Sequence, residues 1–129
     1  MNAHDESLLD SVLTKFRVMA MFEGYEVEGP ESPGMDGDTP LHVAAMDGNF
    51  EVVKTFIPFV KNINVGGDIG NAPLHYAVMW NHPEVARLLL KHGADINLRN
   101  DYGDTPMSLM KGRAGFDAIL QEQAGRGAP

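Results

Sequence analysis

The chain has 129 residues, which is enough for one domain with a modest hydrophobic core. The absence of cysteine excludes a disulfide-stapled fold and any metal or redox site built on thiolates, and it fits a cytoplasmic location. The formal net charge of −8 argues against binding to nucleic acid, because phosphate contacts need lysine and arginine. The acidic amino terminus is unlike a signal peptide, and the apolar runs are too short to span a bilayer.

The acidic residues are concentrated in the first part of the chain. Residues 1–53 carry eleven acids and two bases, a net charge of −9, whereas residues 54–129 carry seven acids and eight bases, a net charge of +1. No lysine or arginine occurs between Arg17 and Lys54. This distribution has two interpretations, a solvated surface that keeps the protein soluble and an acidic patch for a basic partner.

The first predicted element is a helix over residues 7–22. Its apolar residues recur at the spacing that forms one helix face, which we expect to be buried against the rest of the domain. They are Leu8, Leu9, Val12, Leu13, Phe16, Met19 and Ala20.

A loop is predicted next, over residues 23–38. This segment contains four glycines, two prolines and six acids, a composition that cannot form a packed element. Loops of this length are uncommon in compact domains unless they are functional or disordered. We expect a flexible link that is attached to the domain at Tyr25 and Val27, and a role in partner binding is the alternative.

One motif of six residues then occurs three times at a spacing of 33 residues. Residues 37–42, 70–75 and 103–108 read GDTPLH, GNAPLH and GDTPMS. A period that is held twice without slippage indicates a repeat architecture. The glycine suits a turn position with positive φ, the threonine of two copies can cap a helix, and the proline suits the first helical position.

These motifs resemble those of the ankyrin repeat family, and the resemblance covers residues 35 to about 121. It implies an all-α repeat fold (an α-solenoid) in which each repeat is a β-turn followed by a helix-turn-helix unit. We therefore predict an N-terminal capping helix and acidic loop over residues 1–34. The ankyrin repeat domain would cover residues 35–129, with repeats at about 35–67, 68–100 and 101–124.

The N-terminal helix would then cap the array, because terminal repeats expose a face that has no neighbouring repeat. We expect it to pack on the first helices of repeat 1. Leu8 and Val12 are in register with Leu41 and Ala45, which favours a degenerate additional repeat. An unrelated cap is the alternative.

Two departures from the family pattern affect the ends of helices. Pro58 and Val60 stand where repeat 1 should end its second helix with a glycine, so we expect this helix to end early. Asn81 replaces the glycine between the helices of repeat 2, and asparagine tolerates a left-handed backbone. Residues 124–129 should form a frayed tail.

The five histidines do not predict a metal or catalytic site. The resemblance implies that His42 and His75 hydrogen-bond their own turn and the neighbouring repeat, and these two residues lie one whole repeat apart. His82 and His92 are expected on the surface, and His4 is terminal. No nucleophile elbow, zinc-protease motif or calcium loop occurs. We expect no enzyme, no metal and no cofactor.

The resemblance also implies a partner surface on the concave side, at the turn tips and at the exposed ends of the first helices. The candidate residues combine the single tryptophan with a tyrosine, an isoleucine, methionines and aspartates, an apolar centre with an acidic rim. Carried over by register, they are Met35, Asp36, Asp38, Met46 and Asp47 in repeat 1, Asp68, Ile69, Asn71, Met79 and Trp80 in repeat 2, and Asp101, Tyr102, Asp104 and Arg113 in repeat 3.

The predicted function is therefore non-enzymatic binding of one protein partner that has a basic surface. We expect the free protein to be a monomer and to bind neither nucleic acid nor membrane. A narrower alternative is a bacterial immunity or antitoxin-type inhibitor that blocks a toxin's active site, which the small size and acidic charge fit. An enzyme is a third class. It has less support, because the carboxylates are spread over separate repeats without a convergent cleft.

Overall fold

The computed structural model describes residues 3–127, and within this range the fold contains helices and turns but no strand. The α-helices are α1 (Ala3–Arg17), α2 (Pro40–Asp47), α3 (Phe50–Phe56), α4 (Pro73–Met79), α5 (Pro83–Lys91), α6 (Pro106–Met110) and α7 (Asp117–Gly127). Short 3-10 turns occupy Ala20–Phe22, Ile57–Phe59, Asp68–Gly70 and Ala114–Phe116. In the described part of the chain, no helix combines the length and the hydropathy that crossing a membrane requires.

The helices stack in two layers, which confirms the predicted all-α repeat fold. The first helices of the repeats form one layer, in which α2 packs on α4 and α4 packs on α6. In the second layer α3 packs on α5, and α7 closes the array against α6. Ala44, Ala45 and Ala77 are buried in the first layer, where their small side chains let neighbouring helices approach closely.

The helix ends follow the predicted signals. The Thr39 and Thr105 side chains each accept a hydrogen bond from a backbone N–H three residues later, and a proline follows each threonine. Gly48 ends α2 with φ of 71°, and Asn81 follows α4 with φ of 62°, the left-handed backbone that was expected of this asparagine. A side chain on Gly48 would also collide with a neighbouring imidazole ring.

The N-terminal helix takes a different place from the one that we predicted. Instead of packing on the first helices, α1 packs mainly against α3, the second helix of repeat 1. Phe16 lies 5.6 Å from Phe56 and 6.2 Å from Phe22, measured between ring centroids. These bulky rings match each other better than they would match the small alanine face of the first helices. The register of Leu8 and Val12 with the first helix of repeat 1 is therefore wrong.

The acidic loop over residues 23–38, which we call the strap, is ordered rather than a flexible link. Val27 is buried as expected, and its carbonyl oxygen accepts a hydrogen bond of 3.0 Å from the Arg17 side chain. Tyr25, the other expected point of attachment, has an exposed side chain instead. The Glu31 carboxylate accepts hydrogen bonds from the backbone N–H groups of Lys61 and Asn62, at 3.0 and 2.6 Å. These bonds anchor the strap to the end of repeat 1.

The hydrogen bonds of the strap resemble those at the end of repeat 1. Asn64, which is 33 residues after Glu31, accepts a hydrogen bond of 2.8 Å from the N–H of Asp95. Glu31 and Asn64 therefore each bind the backbone about one repeat downstream. Because α1 occupies a second-helix position and the strap follows it, the N-terminal region covers repeat 1 much as half a repeat would.

Two further expectations concern the ends of helices. The second helix of repeat 1 does end early, at Phe56, and the chain continues through a 3-10 turn to an extended Val60. The prediction of a frayed tail is wrong for residues 124–127, because α7 continues to Gly127. Once Ile119 is buried against the array, each further residue adds one helical hydrogen bond. Residues 128–129 lie outside the described range.

Candidate protein-interaction surface

The turns that precede the first helices form one continuous row, which we call the turn-tip row. It consists of residues 34–38, 67–71 and 100–104. In each turn the glycine at positions 37, 70 and 103 donates its N–H to the carbonyl oxygen three residues earlier. Neighbouring turns are joined, since the Asp68 N–H binds the Asp38 carboxylate at 2.9 Å and the Asp101 N–H binds the Ile69 carbonyl at 2.9 Å.

The residues that follow the same helices form a second row, the helix-end row. It consists of residues 46–49, 79–82 and 111–113. A helix of seven residues such as α4 separates the two rows by about 10 Å, from its rise per residue. The candidate residues that the sequence groups into one surface are thus divided, and Trp80 and Tyr102 lie in different rows.

Two buried histidines hold the turn-tip row together. His42 Nδ1 accepts a hydrogen bond of 3.1 Å from the Thr39 N–H, so Nε2 carries the proton and donates to the Asn71 carbonyl at 2.7 Å. His75 repeats the arrangement, accepting from the Ala72 N–H at 2.9 Å and donating to the Asp104 carbonyl at 3.0 Å. The predicted structural role of both histidines is confirmed.

Burial keeps these histidines neutral. Loss of hydration lowers the pKa of His42 and of His75, and the hydrogen bonds to neighbouring carbonyl groups offset this only in part. Within residues 3–127, no group of three or more histidine and carboxylate side chains could hold a metal ion. The histidines therefore join repeats and leave the outward-facing side chains of the row free for other contacts.

Two predicted contact residues are instead part of the framework. Asn71 is only 5% exposed, and its side-chain oxygen accepts a hydrogen bond of 2.8 Å from the Asn100 amide. The half-buried Asp38 carboxylate accepts from the Tyr76 hydroxyl at 3.0 Å. Burial, together with this carboxylate, raises the pKa of Tyr76. We remove Asn71 from the candidate surface, because a buried, hydrogen-bonded amide cannot contact a partner without breaking the fold.

In the helix-end row, polar side chains at the surface connect neighbouring repeats. His82 was expected to be a plain surface residue, but its Nε2 donates to the Met46 carbonyl at 2.9 Å. Arg113, one of the candidate contact residues, donates to the Asn81 side-chain oxygen at 2.8 Å and to the Met79 carbonyl at 3.5 Å. All three bonds connect one repeat with the next, so these two side chains already have structural partners.

Four large apolar residues of the two rows are exposed. The exposed fractions are 76% for Tyr102, 63% for Met35, 56% for Trp80 and 39% for Met79. A Trp80 side chain buried between helices would have excluded it as an anchor, and the structure does not bury it. Around these residues Asp36, Asp47, Asp68, Asp101 and Asp104 are exposed, and Met46 is half-buried.

Ile69 has a strained backbone that the sequence did not reveal. Its φ of 57° and ψ of 25° lie in the left-handed region, which a β-branched side chain rarely adopts. Such a conformation costs about 1–2 kcal/mol in an L-residue other than glycine. Among the described residues, Asn81 is the other non-glycine residue with positive φ, and asparagine tolerates it. The Ile69 side chain is half-buried in the central turn of the row.

The stacked helix pairs, the joined turns and the buried histidines define a repeat protein with a continuous outer surface. A family model described as "Ankyrin repeats (3 copies)" matches residues 13–100, more than half of the chain, and the protein belongs to the ankyrin repeat family. The match begins inside α1, which agrees with the second-helix position of α1. Ankyrin repeats are generally protein–protein interaction modules and are typically non-enzymatic. No curated protein matched the chain.

Proposed function

We propose that this protein is a cytoplasmic, non-enzymatic module that binds one protein partner through the turn-tip row, and that the contacting surface of the partner is basic. The observation that supports this most is the charge of the row. It contains Asp36, Asp38, Asp68, Asp101 and Asp104 but no lysine or arginine. Four of these carboxylates are exposed, and although the exposed Arg99 adjoins the third turn, acids outnumber bases along the row. Exposed carboxylates attract a basic surface and orient it during association.

Apolar anchors lie within the same row. Met35 and Tyr102 are its most exposed large side chains, and they belong to its first and third turns. Ile69 stands in the turn between them. A tyrosine at the centre of an interface commonly supplies ~2 kcal/mol or more of the binding free energy, whereas rim carboxylates contribute more to the association rate. The row therefore combines three apolar contacts with an acidic rim.

The helix-end row supplies a second, weaker contact in this proposal. Trp80 and Met79 are exposed there, but Lys111 and Arg113 make the row less acidic than the turn-tip row. A partner that touches both rows would place its basic groups on the turn tips and its apolar groups on Trp80. Electrostatic steering should then depend on the first row and apolar burial on both.

The test compares four baits in a pull-down from native lysate that is read by mass spectrometry. The baits are the wild type, a turn-tip variant (Tyr102→Ala with Asp68→Lys), a helix-end variant (Trp80→Ala) and a control (Tyr25→Ala). Tyr25 is exposed but lies outside both rows. We expect the turn-tip variant to lose one basic protein that the control retains, and the helix-end variant to recover less of it.

Two measurements extend this test. Binding of the recovered partner should weaken as salt concentration rises, because screening acts on the exposed carboxylates. The activity of the partner, assayed with and without this protein, separates an adaptor from a stoichiometric inhibitor of the immunity or antitoxin type. Equal recovery of the partner by all four baits would locate the interface elsewhere and overturn the proposal.

A further inference from the structure

The methionines of this cysteine-free chain differ widely in exposure. Met35 and Met79 are exposed at 63% and 39%. Four others are only partly exposed and pack on the core, and one is fully buried. The partly exposed residues are Met19, Met21, Met46 and Met107, and the buried one is Met110. Among the seven methionines within residues 3–127, the two most exposed therefore lie one in each row of the candidate surface.

We propose that Met35 and Met79 are modification sites for hydrogen peroxide, and that their oxidation changes the polarity of the candidate surface without unfolding the protein. The sulfur attacks one oxygen of the peroxide, an S–O bond forms, the O–O bond breaks and water is released. The thioether is oxidised by two electrons and the peroxide is reduced by two. Methionine sulfoxide can be returned to methionine by dedicated reductases, so the change is reversible.

The fold should tolerate this chemistry because neither side chain belongs to the hydrophobic core. The hydrogen bonds that join these two residues to other parts of the fold run through their backbone atoms. The Met35 N–H donates to the Met21 carbonyl at 2.8 Å, and the Met79 carbonyl accepts from Arg113. Oxidation of the sulfur leaves both bonds in place.

Oxidation of Met35 and Met79 should alter the candidate surface more than it alters the fold. A sulfoxide replaces an apolar, flexible contact by a polar one, which reduces the area that a partner can bury without water. Met35 adjoins Asp36 and Met79 adjoins Trp80, so each oxidation falls beside a residue of the proposed interface. Cysteine does not compete for the oxidant, because the chain has none. This consequence for binding depends on the proposed function, whereas the assignment of the sites does not.

The first experiment treats the purified 129-residue protein with increasing hydrogen peroxide and follows each methionine by peptide mass spectrometry. Met35 and Met79 should oxidise several-fold faster than the partly exposed methionines, and Met110 should oxidise last. Circular dichroism and thermal unfolding should stay close to those of the untreated protein while only the first two are oxidised. If Met110 is oxidised as fast as Met35, or if helicity is lost at this stage, the site assignment is wrong.

The second experiment uses the double variant Met35→Leu/Met79→Leu, which keeps apolar side chains of similar size but cannot form sulfoxides at these positions. Peroxide-treated wild type should recover several-fold less of the partner found by pull-down, whereas the treated double variant should recover as much as before. Equal recovery by treated and untreated wild type would overturn the effect on binding. If untreated wild type recovers no partner, the proposed function fails and the oxidation pattern still decides the sites.

Discussion

The two rows lie at opposite ends of the same first helices, yet the repeats are joined differently in each. In the turn-tip row the side chains that join the repeats include two buried ones, His42 and His75, which bind carbonyl oxygens of the next repeat from inside, in addition to the bonds between neighbouring turns. In the helix-end row the joining groups are His82 and Arg113, which are only partly buried. Buried connections leave outward-facing side chains free, so the turn-tip row is better placed to contact a partner.

The largest expected effect breaks one buried connection. His42→Ala removes a large buried side chain and leaves the Thr39 N–H and the Asn71 carbonyl without their partner. We expect the free energy of unfolding to fall by about 3 kcal/mol, from the cavity and the two unsatisfied polar groups. His82→Ala removes one partly exposed bond, and the loss should be about 1 kcal/mol. Urea denaturation followed by circular dichroism measures both.

His92→Ala is the matched control for these two substitutions. His92 is exposed at the end of α5, and the substitution should leave the midpoint of unfolding almost unchanged. If His42→Ala and His82→Ala cost the same free energy, the contrast between buried and exposed connections is wrong.

The second effect is a pH dependence of the free energy of unfolding, caused by the two histidines that hold the turn-tip row together. The pKa of His42 and His75 is lowered in the folded state by burial, from an unfolded value of 6.5. Below pH 6.5 the unfolded chain therefore binds more protons than the folded one, and the free energy of unfolding falls as the pH falls. Asp38 and Asp104 partly counteract this shift, because their charges favour the protonated rings.

Urea unfolding at pH 7.5, 6.5 and 5.5 tests this prediction. Wild type should become less stable at each step, and the loss should be smaller in His75→Gln, which removes one of the two titrating groups at some cost in stability. A stability that rises between pH 6.5 and 5.5 would contradict neutral, buried histidines.

The third effect concerns the strained turn. Ile69→Asn replaces a β-branched residue at φ of 57° by one that tolerates the left-handed region. Since Ile69 is not part of the hydrophobic core cluster, we expect stability to rise by about 1 kcal/mol. The matched opposite change is Asn81→Ile in the helix-end row, at φ of 62°. It should lower stability by at least as much, since it also removes the bond to Arg113.

Both substitutions are read as urea midpoints at unchanged slope, which separates stability from changes in the unfolded state. A lower midpoint for Ile69→Asn would mean that side-chain packing of Ile69 outweighs the strain. A higher midpoint combined with weaker binding of the partner would indicate that the strain is retained for recognition.

The parts of the fold that repeat every 33 residues could be predicted from the sequence. Turn glycines, helix caps and the bonds of His42 and His75 all depend on residues inside one motif. The place of α1 could not be predicted for two reasons. The segment between α1 and the strap does not keep the 33-residue period, and the helix packs through Phe16 against Phe22 and Phe56 instead of through small alanines. The spacing of 33 between Glu31 and Asn64 is a signal that could have revealed the strap.

The candidate surface was predictable as a set of positions but not as an arrangement. Register placed Trp80 and Tyr102 on the surface, and both are exposed. Their separation into two rows depends on helix length, and the burial of Asn71 depends on its bond with Asn100 in the next repeat. The bond between His82 and Met46 also lies outside the motif, so only the three-dimensional structure shows it.

The smallest expected effect tests whether Arg113 joins repeat 3 to repeat 2 in the way that His82 joins repeat 2 to repeat 1. The position 33 residues after His82 is Gly115, which has no side chain, and Arg113 reaches the preceding repeat instead. Its bond to Asn81 is partly exposed to water, so Arg113→Ala should cost about 0.5 kcal/mol, and Lys111→Ala should cost almost nothing. A double-mutant cycle with Asn81→Gly isolates the pair, because glycine keeps the left-handed backbone and removes only the acceptor. A coupling energy larger than the cost of His42→Ala would reverse the comparison, since the helix-end row would then hold the repeats together.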